Sequence, residues 1–537
     1  MQPGAACNGT FTSAPVMIGS KVGAVGSKSQ SRASRPFMVK NTSTMPVRMQ
    51  LFLLLAVVAA SAGTAESDED MVIGRNPDGP AWPQAAGMAP LDPAIKAATP
   101  RVLKLGHAQS LYEDSIDWSD DPATQKSRLE AAGRIEALID RYLECDAADE
   151  RTKIIAALNA IGAPPQVYEQ ILLRGGVKQE FPPNALTLTL NIPVKDFKPL
   201  PDDPDKTAPL TVTVSVVLPA DYSPFKRYGV NFGGSVNDDK DFIHVSGIVT
   251  ENANSKAAPI YMTWRGRSQF NALFNALLRE ISIDPDRVIA SGFSVGGIAA
   301  LRWGLYCPDR FAAINAQSSP PLSELDLPMI ANYSGIPLFW YNDPGHTGTP
   351  PEIAAAFAGA VKKAGLDACI VNAGDEARSN DKVPAFLARQ IAARRELCAN
   401  RVAFACNDLQ VSRRGWIRID AFDARNNPEF ELRLHKPNGA ELGGVIETKK
   451  LRANPGAVTA AIDGNTIDIK TQFVTALTIY LARGMVDFSK PVAIAVNGRQ
   501  VQSKLLTPAL EFMLDEARQT GRRDRLYVVS CAVRVPN

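Results

Sequence analysis

The feature that most constrains this chain is the run Arg287-Val-Ile-Ala-Ser-Gly292-Phe-Ser294-Val-Gly296-Gly297. Three apolar residues, Val288 to Ala290, lead into a Gly-x-Ser-x-Gly pentapeptide, and a helical pattern from Ile298 to Leu305 leads out of it. A serine hydroxyl is a poor nucleophile unless it is exposed, rigidly held and close to a base. A sharp strand-to-helix turn supplies the first two conditions. It calls for glycine at Gly292, Gly296 and Gly297, where neighbouring backbone leaves no room for side chains. The helix N-terminus then directs unpaired N–H groups, that of Val295 among them, at any negative charge developing on a substrate oxygen. Ser294 is therefore the candidate nucleophile.

The surrounding pattern supports such a turn. From Ala185, Leu186, Leu188 and Leu190 alternate with Thr, and Val212, Val214 and Val216 alternate with Thr and Ser, as in two antiparallel strands. Strands and helices then take turns. The strands are expected at Tyr228–Phe232, Arg287–Ala290, Phe311–Ala316, Ile336–Asn342 and Ala368–Asn372, and the helices at Gln269–Glu280, from Val295, at Pro351–Ala364 and at Pro384–Leu397. This alternation predicts an α/β fold whose mostly parallel sheet is covered by helices on both faces. Ahead of it, apolar residues three or four apart between Thr124 and Gly175 predict a helical arm. Behind it, from about Val402, short strands and the hairpin signal Asn497-Gly498 predict a mainly β, sandwich-like domain with one helix, Pro508–Gln519. The expected divisions are a leader at 1–65, a linker at 66–122, the arm at 123–178, the α/β domain at 179–400 and the β domain at 401–537.

The first 65 residues contain no Asp or Glu. Within them Arg48, an apolar run from Leu51 to Ala60 and the small residues Ser61 to Ala65 have the layout of an export signal near residues 45–65. That run is too short to span a bilayer, and no other stretch is long and apolar enough to do so. The expected location is outside the cell or in the periplasm, with an organelle transit peptide as the alternative reading of this Ser-rich, acid-free segment. With 58 basic and 56 acidic residues, a net charge of +2 offers no field for nucleic acid. Four His in all, and Cys without ligand spacing, argue against a metal site. Of seven Cys, Cys398 and Cys406 are near enough in sequence to pair in an oxidising compartment.

Ile283-Asp-Pro-Asp-Arg-Val, Gly292-Phe-Ser-Val-Gly-Gly and Cys307-Pro-Asp-Arg-Phe-Ala-Ala-Ile together resemble the core of secreted α/β-hydrolases of the polyhydroxybutyrate depolymerase, feruloyl esterase and prolyl-oligopeptidase-like group. The likeness runs from about Leu210 to Leu397. Met485-Val-Asp-Phe-Ser-Lys-Pro-Val, with Val496-Asn-Gly after it, is similar to an accessory β domain behind such hydrolases in planctomycete-type exported proteins. The resemblance implies a serine hydrolase acting on a small-molecule or polymeric ester or peptide, without a cofactor. It sets neither the substrate nor an oligomeric state. It also implies an oxyanion loop at Phe232-Gly233-Gly234, where Phe232 stands in place of the family's His and the backbone of Gly233 and Gly234 would donate.

The same resemblance implies an acid after the strand at Pro337–Asn342 and a His after the strand at Ala368–Asn372. Here the first loop holds Asp343 and His346, and the second holds Asp375 and Glu376 but no His. Three accounts are open. The roles are exchanged, with His346 as base and Asp375 or Glu376 orienting it; or His244, less readily His435, folds in from elsewhere; or catalysis has lapsed and the fold binds a ligand or partner. Asp284 and Asp286, flanking Pro285, read as turn formers rather than acids.

Overall fold

The computed structural model describes residues 108, 112, 116, 121–175, 187–193, 211–233, 240–246, 264–323, 325–374, 382–438 and 441–536. The expected leader lies outside them. Three helices come first: α1 (Pro122–Glu144), α2 (Ala148–Ile161) and α3 (Pro165–Arg174). Asp121 caps α1, its carboxylate accepting the Thr124 N–H at 2.8 Å, and Gly162 ends α2 in the left-handed conformation.

Eight strands then form one sheet: β1 (Thr187–Pro193), β2 (Thr211–Val217), β3 (Tyr228–Phe232), β4 (Phe242–Ser246), β5 (Ile283–Phe293), β6 (Ala313–Gln317), β7 (Leu338–Asn342) and β8 (Ala368–Asn372). Their order is β1-β2-β4-β3-β5-β6-β7-β8. β2 runs antiparallel to β1 and β4, and every pair from β4 to β8 is parallel. Helices α4 (Trp264–Glu280), α5 (Val295–Tyr306), α6 (Pro344–Thr347), α7 (Pro351–Lys363) and α8 (Lys382–Ala392) lie between or after these strands. The mixed α/β architecture with a mostly parallel central sheet is thus as the alternation predicts.

Two faces of the sheet are covered separately. Val230, Ala290, Ile314, Leu338 and Trp340 pack with α4, α5 and α7 through Phe270, Phe274, Trp303 and Phe357. On the opposite face Phe339, Tyr341 and Val371 pack with Phe386 and Leu387 of α8. Sequence reading does not single out β4, although Phe242-Ile-His-Val-Ser is a short apolar run. Asp284 and Asp286 also differ from expectation. They lie within β5 and hold the far end of the sheet, Asp284 against Arg394 at 2.9 Å and Asp286 against Arg395 at 2.7 Å.

The remaining chain is β-rich. A five-stranded sheet and a four-stranded sheet share one core, in which Phe404, Val458, Ile467 and Ile494 of the first meet Ile417, Leu477, Ile479 and Tyr527 of the second. Asn497 and Gly498 join Val492–Val496 to Arg499–Lys504 with φ of 51° and 79°, the pair of positive values a two-residue hairpin turn needs. Cys398 and Cys406 are not bonded to each other: Cys406 is buried in the β core, whereas Cys398 is exposed. Helix α9 (Leu510–Thr520) leaves the sandwich and packs on the N-terminal helices. Met513, Leu514 and Ala517 share a core with Ile135, Ile139, Tyr142, Leu158 and Ile171. The helical arm therefore finds its partner in the C-terminal region.

Candidate active site

β5 ends at Phe293 and α5 begins at Val295, so one residue, Ser294, makes the whole reversal. It does so at φ 54° and ψ −116°, outside the regions an L-residue prefers and at a cost of roughly 1–3 kcal/mol. What holds it there is visible on both sides. The Ser294 N–H donates to the Gln317 carbonyl of β6 at 2.8 Å, and its own carbonyl accepts from Gly297 at 3.0 Å and Ile298 at 3.2 Å. A serine at a helix N-cap ordinarily spends its side chain on an amide of the first turn. Here the hydroxyl makes no such bond, because the backbone angles turn it away. Ser294 is partly exposed, and its neighbours Phe293 and Val295 are exposed at 47% and 40%. The hydroxyl stands on the rim of the sheet.

The glycines around it are not equivalent. A Cβ on Gly292 would lie 2.2 Å from the Gly296 carbonyl carbon, and one on Gly297 would lie 2.6 Å from the Ser319 Cβ. A Cβ on Gly296 would meet nothing within 4 Å. Sequence reading asks for glycine at all three; the close approach requires it at Gly292 and Gly297, with Gly296 supplying the backbone that Gly292 passes.

The oxyanion loop needs one correction. Gly233, at φ 79°, ends β3, and a Cβ there would lie 2.4 Å from the Ser291 carbonyl oxygen. Its N–H, however, donates to the Val245 carbonyl at 2.7 Å and is taken up in the sheet. Gly234 lies outside the described residues. The Val295 N–H opens α5, in the first turn where amides have no acceptor within the helix.

The two loops expected to complete the site leave the same edge. Asn342 pairs with Asn372 at the ends of β7 and β8, their side chains joined at 3.0 Å, and the Ala373 N–H donates to the Asn342 carbonyl at 2.7 Å. Past β7, Asp343 caps the single turn α6: its Oδ1 accepts the His346 backbone N–H at 3.3 Å and its carbonyl accepts from His346 and Thr347. His346 is exposed, and its ring centroid lies 4.9 Å from that of Phe293 at a 46° tilt. The turn thus reaches across the end of β6 to the elbow. Asp375 and Glu376 follow β8 by a few residues but lie outside the described residues.

His244 is elsewhere. It is buried in the middle of β4, opposite Asn231 of β3, which is opposite Ile289 of β5. Ile289 precedes Ser294 by five residues, roughly 16 Å along a strand at about 3.3 Å each. His244 is thereby removed as the base. His435 belongs to a separate two-stranded hairpin, Glu429–Asn438 with Glu441–Arg452. Nothing in the sequence sets Phe293 apart as part of the site, because an aromatic residue at a strand end ordinarily signals packing.

Strand order, the reversed β2 and the turn at Ser294 define an α/β-hydrolase fold. No family model and no curated protein matches the chain. Among solved structures it is similar to a thermostable esterase at 13% identity and TM-score 0.29, over 39% of this chain and 63% of that one. It is similar to a putative dipeptidyl aminopeptidase IV from Bacteroides ovatus at 15% identity and TM-score 0.28, over 38% and 35%. A CE1 ferulic acid esterase from Anaeromyces mucronatus is similar at 14% identity and TM-score 0.26, over 40% and 92%. This chain covers less than two thirds of the first two. Among the described residues no helix is long and apolar enough to cross a membrane, and no group of three metal-ligating side chains occurs.

Proposed function

We propose that the chain is an exported serine hydrolase that cleaves a carboxylic ester, or a peptide bond, through an acyl-enzyme on Ser294. The observation that carries this reading is Ser294 itself, partly exposed at a strained turn, with its hydroxyl not used to cap the helix it precedes. In the reaction Ser294 Oγ attacks the substrate carbonyl while an imidazole takes its proton. The Val295 N–H donates to the oxygen that becomes negative, the imidazolium returns the proton to the departing group, and water repeats the sequence to release the acid. His346 is the base of choice, since its ring lies against Phe293, next to the nucleophile. Asp375 or Glu376 would orient it from the neighbouring loop. Asp343 is less suited to that task, because it is engaged with the backbone of α6.

A second reading, a non-catalytic binding protein on the same fold, is favoured by one observation: the Gly233 amide that would complete an oxyanion hole is committed to Val245. A fluorophosphonate probe separates the two. The hydrolase reading expects labelling of the wild type, its abolition in Ser294→Ala and a loss of at least a hundredfold in rate in His346→Ala with folding intact. Folded wild-type protein that takes up no probe would favour the binding protein. The export signal near 45–65 is tested by the mature N-terminus of the secreted product.

A further inference from the structure

A hydrolase imidazole is ordinarily held by a hydrogen bond from its far nitrogen to a carboxylate. The carboxylate nearest in the chain to His346 is Asp343, and its Oδ1 is spent on the His346 backbone N–H. That bond fixes the turn through the backbone and does not involve the imidazole ring. The side chain of Phe293 packs against the ring, with centroids 4.9 Å apart and planes tilted by 46°. The separation lies in the range, about 4.5–7 Å, over which aromatic rings attract one another.

Phe293 is an unusual residue for the end of a central strand. It is 47% exposed, so it does not fill the core. Its backbone is nonetheless held in the sheet. It pairs with Gln317 of β6, and the next amide, that of Ser294, donates to the same Gln317 at 2.8 Å. Phenylalanine has only two side-chain torsions to restrict, so a ring mounted on this segment is a firm surface. Nucleophile and platform are consecutive residues, and any movement of one carries the other. A short turn anchored at β7 would otherwise have to find the hydroxyl across the end of β6.

We propose that Phe293 is the positioning residue for His346: its ring holds the imidazole over the elbow, so that the base is registered to the nucleophile through the backbone between residues 293 and 294. This rests on the reading of Ser294 as nucleophile and His346 as base. Phe293 itself touches no reacting atom.

The test uses the full chain carrying histidine labelled with 13C at the ε1 carbon. With 4 His in the sequence, the His346 signal is assigned from its disappearance in His346→Asn. Three variants are compared with the wild type for that signal and for inactivation by a fluorophosphonate, resolved into its saturating rate and its binding constant. Phe293→Leu retains an apolar side chain without a ring. It should lose the aromatic ring-current contribution to the His346 signal and slow the saturating rate about tenfold, leaving the binding constant within about twofold. Phe293→Ala should do the same or more. Phe293→Tyr should restore both. Thermal denaturation checks that each variant is folded, which the exposure of the side chain leads us to expect. An unchanged His346 signal in Phe293→Leu would overturn the proposal whether or not Ser294 reacts, and so would a slower rate that Phe293→Tyr does not rescue. Wild-type protein that shows the ring-current shift yet takes up no probe would support the packing and refute the hydrolase reading, so the two failures are told apart.

Discussion

At the scale of single residues, the elbow is a matter of tenths of an ångström. Alanine at position 292 would place its Cβ 2.2 Å from backbone carbon and 2.3 Å from backbone oxygen of Gly296, neither of which can swing aside. Forced overpacking of this kind costs about 1–3 kcal/mol, and here it would be relieved by shifting Ser294. Gly292→Ala is expected to lower the denaturation midpoint and to remove fluorophosphonate labelling. Gly296→Ala should leave both intact, since its Cβ meets nothing and alanine favours the helix. Denaturant titration and probe labelling of the pair distinguish a required glycine from a merely customary one. Both glycines are plain in the sequence, and their unequal importance is not. It depends on where Gly292 passes α5, and a spacing rule carries no such distance.

At the scale of elements, the turn Pro308–Arg310 after α5 joins the α/β layer to the β region. Asp309 is buried and accepts from Arg525 at 2.9 Å and from the Gly415 N–H at 2.6 Å, with Arg522 at 4.0 Å. Beside it Asp524 is buried between Arg522 at 2.7 Å and Arg395 at 2.8 Å. Burial pushes the Asp309 carboxyl up, but Arg525, Arg522 and the Gly415 amide outweigh it and hold it below its ordinary value. Asp524 likewise has burial raising it, and is held well below by Arg522 and Arg395. A carboxyl depressed in the folded state contributes stability above its unfolded value, and that contribution is lost as pH falls through the folded value. Stability should therefore hold from neutrality down to about pH 4 and decline below it. Asp309→Asn should flatten that acid limb and cost about 3 kcal/mol at neutral pH, because the arginines are left buried and uncompensated. Chemical denaturation across pH 3–7 measures both effects. Cys307-Pro-Asp-Arg is conspicuous in the sequence, but the partners of Asp309 lie more than a hundred residues away, and no local pattern links them.

At the scale of the whole molecule, helices far apart along the chain are packed together. α1 to α3 share their core with α9, and Tyr142 donates to Asp515 at 3.0 Å. Arg395 at the close of the α/β layer is satisfied partly by Asp524. Removing residues 401–537 would uncover the apolar faces of α1 and α3 and leave Arg395 and Asp309 short of partners. The truncated chain is expected to be insoluble or open to proteolysis at the arm, whereas an independent α/β unit would stay folded. Limited proteolysis of the purified fragment decides between them. Periodicity alone marks these helices as amphipathic. It does not say what they cover, since an apolar stripe is the same whether its partner is the neighbouring layer or one some 350 residues further on.

What the sequence by itself determined is what depends on residues close together along it. The period of apolar residues yields strands and helices in order, β4 excepted, Asn497-Gly498 yields its hairpin, and Gly292 to Gly297 yields a serine at a sharp turn. Only the tertiary structure decided what depends on distant residues meeting. It carries His244 into mid-sheet, gives the Gly233 amide to Val245, sets His346 against Phe293 and joins Asp309 to Arg525. The physical reason is the range of the forces involved. Backbone sterics and side-chain periodicity act within a few residues, whereas hydrogen bonds, ion pairs and ring contacts are short in space but indifferent to separation along the chain.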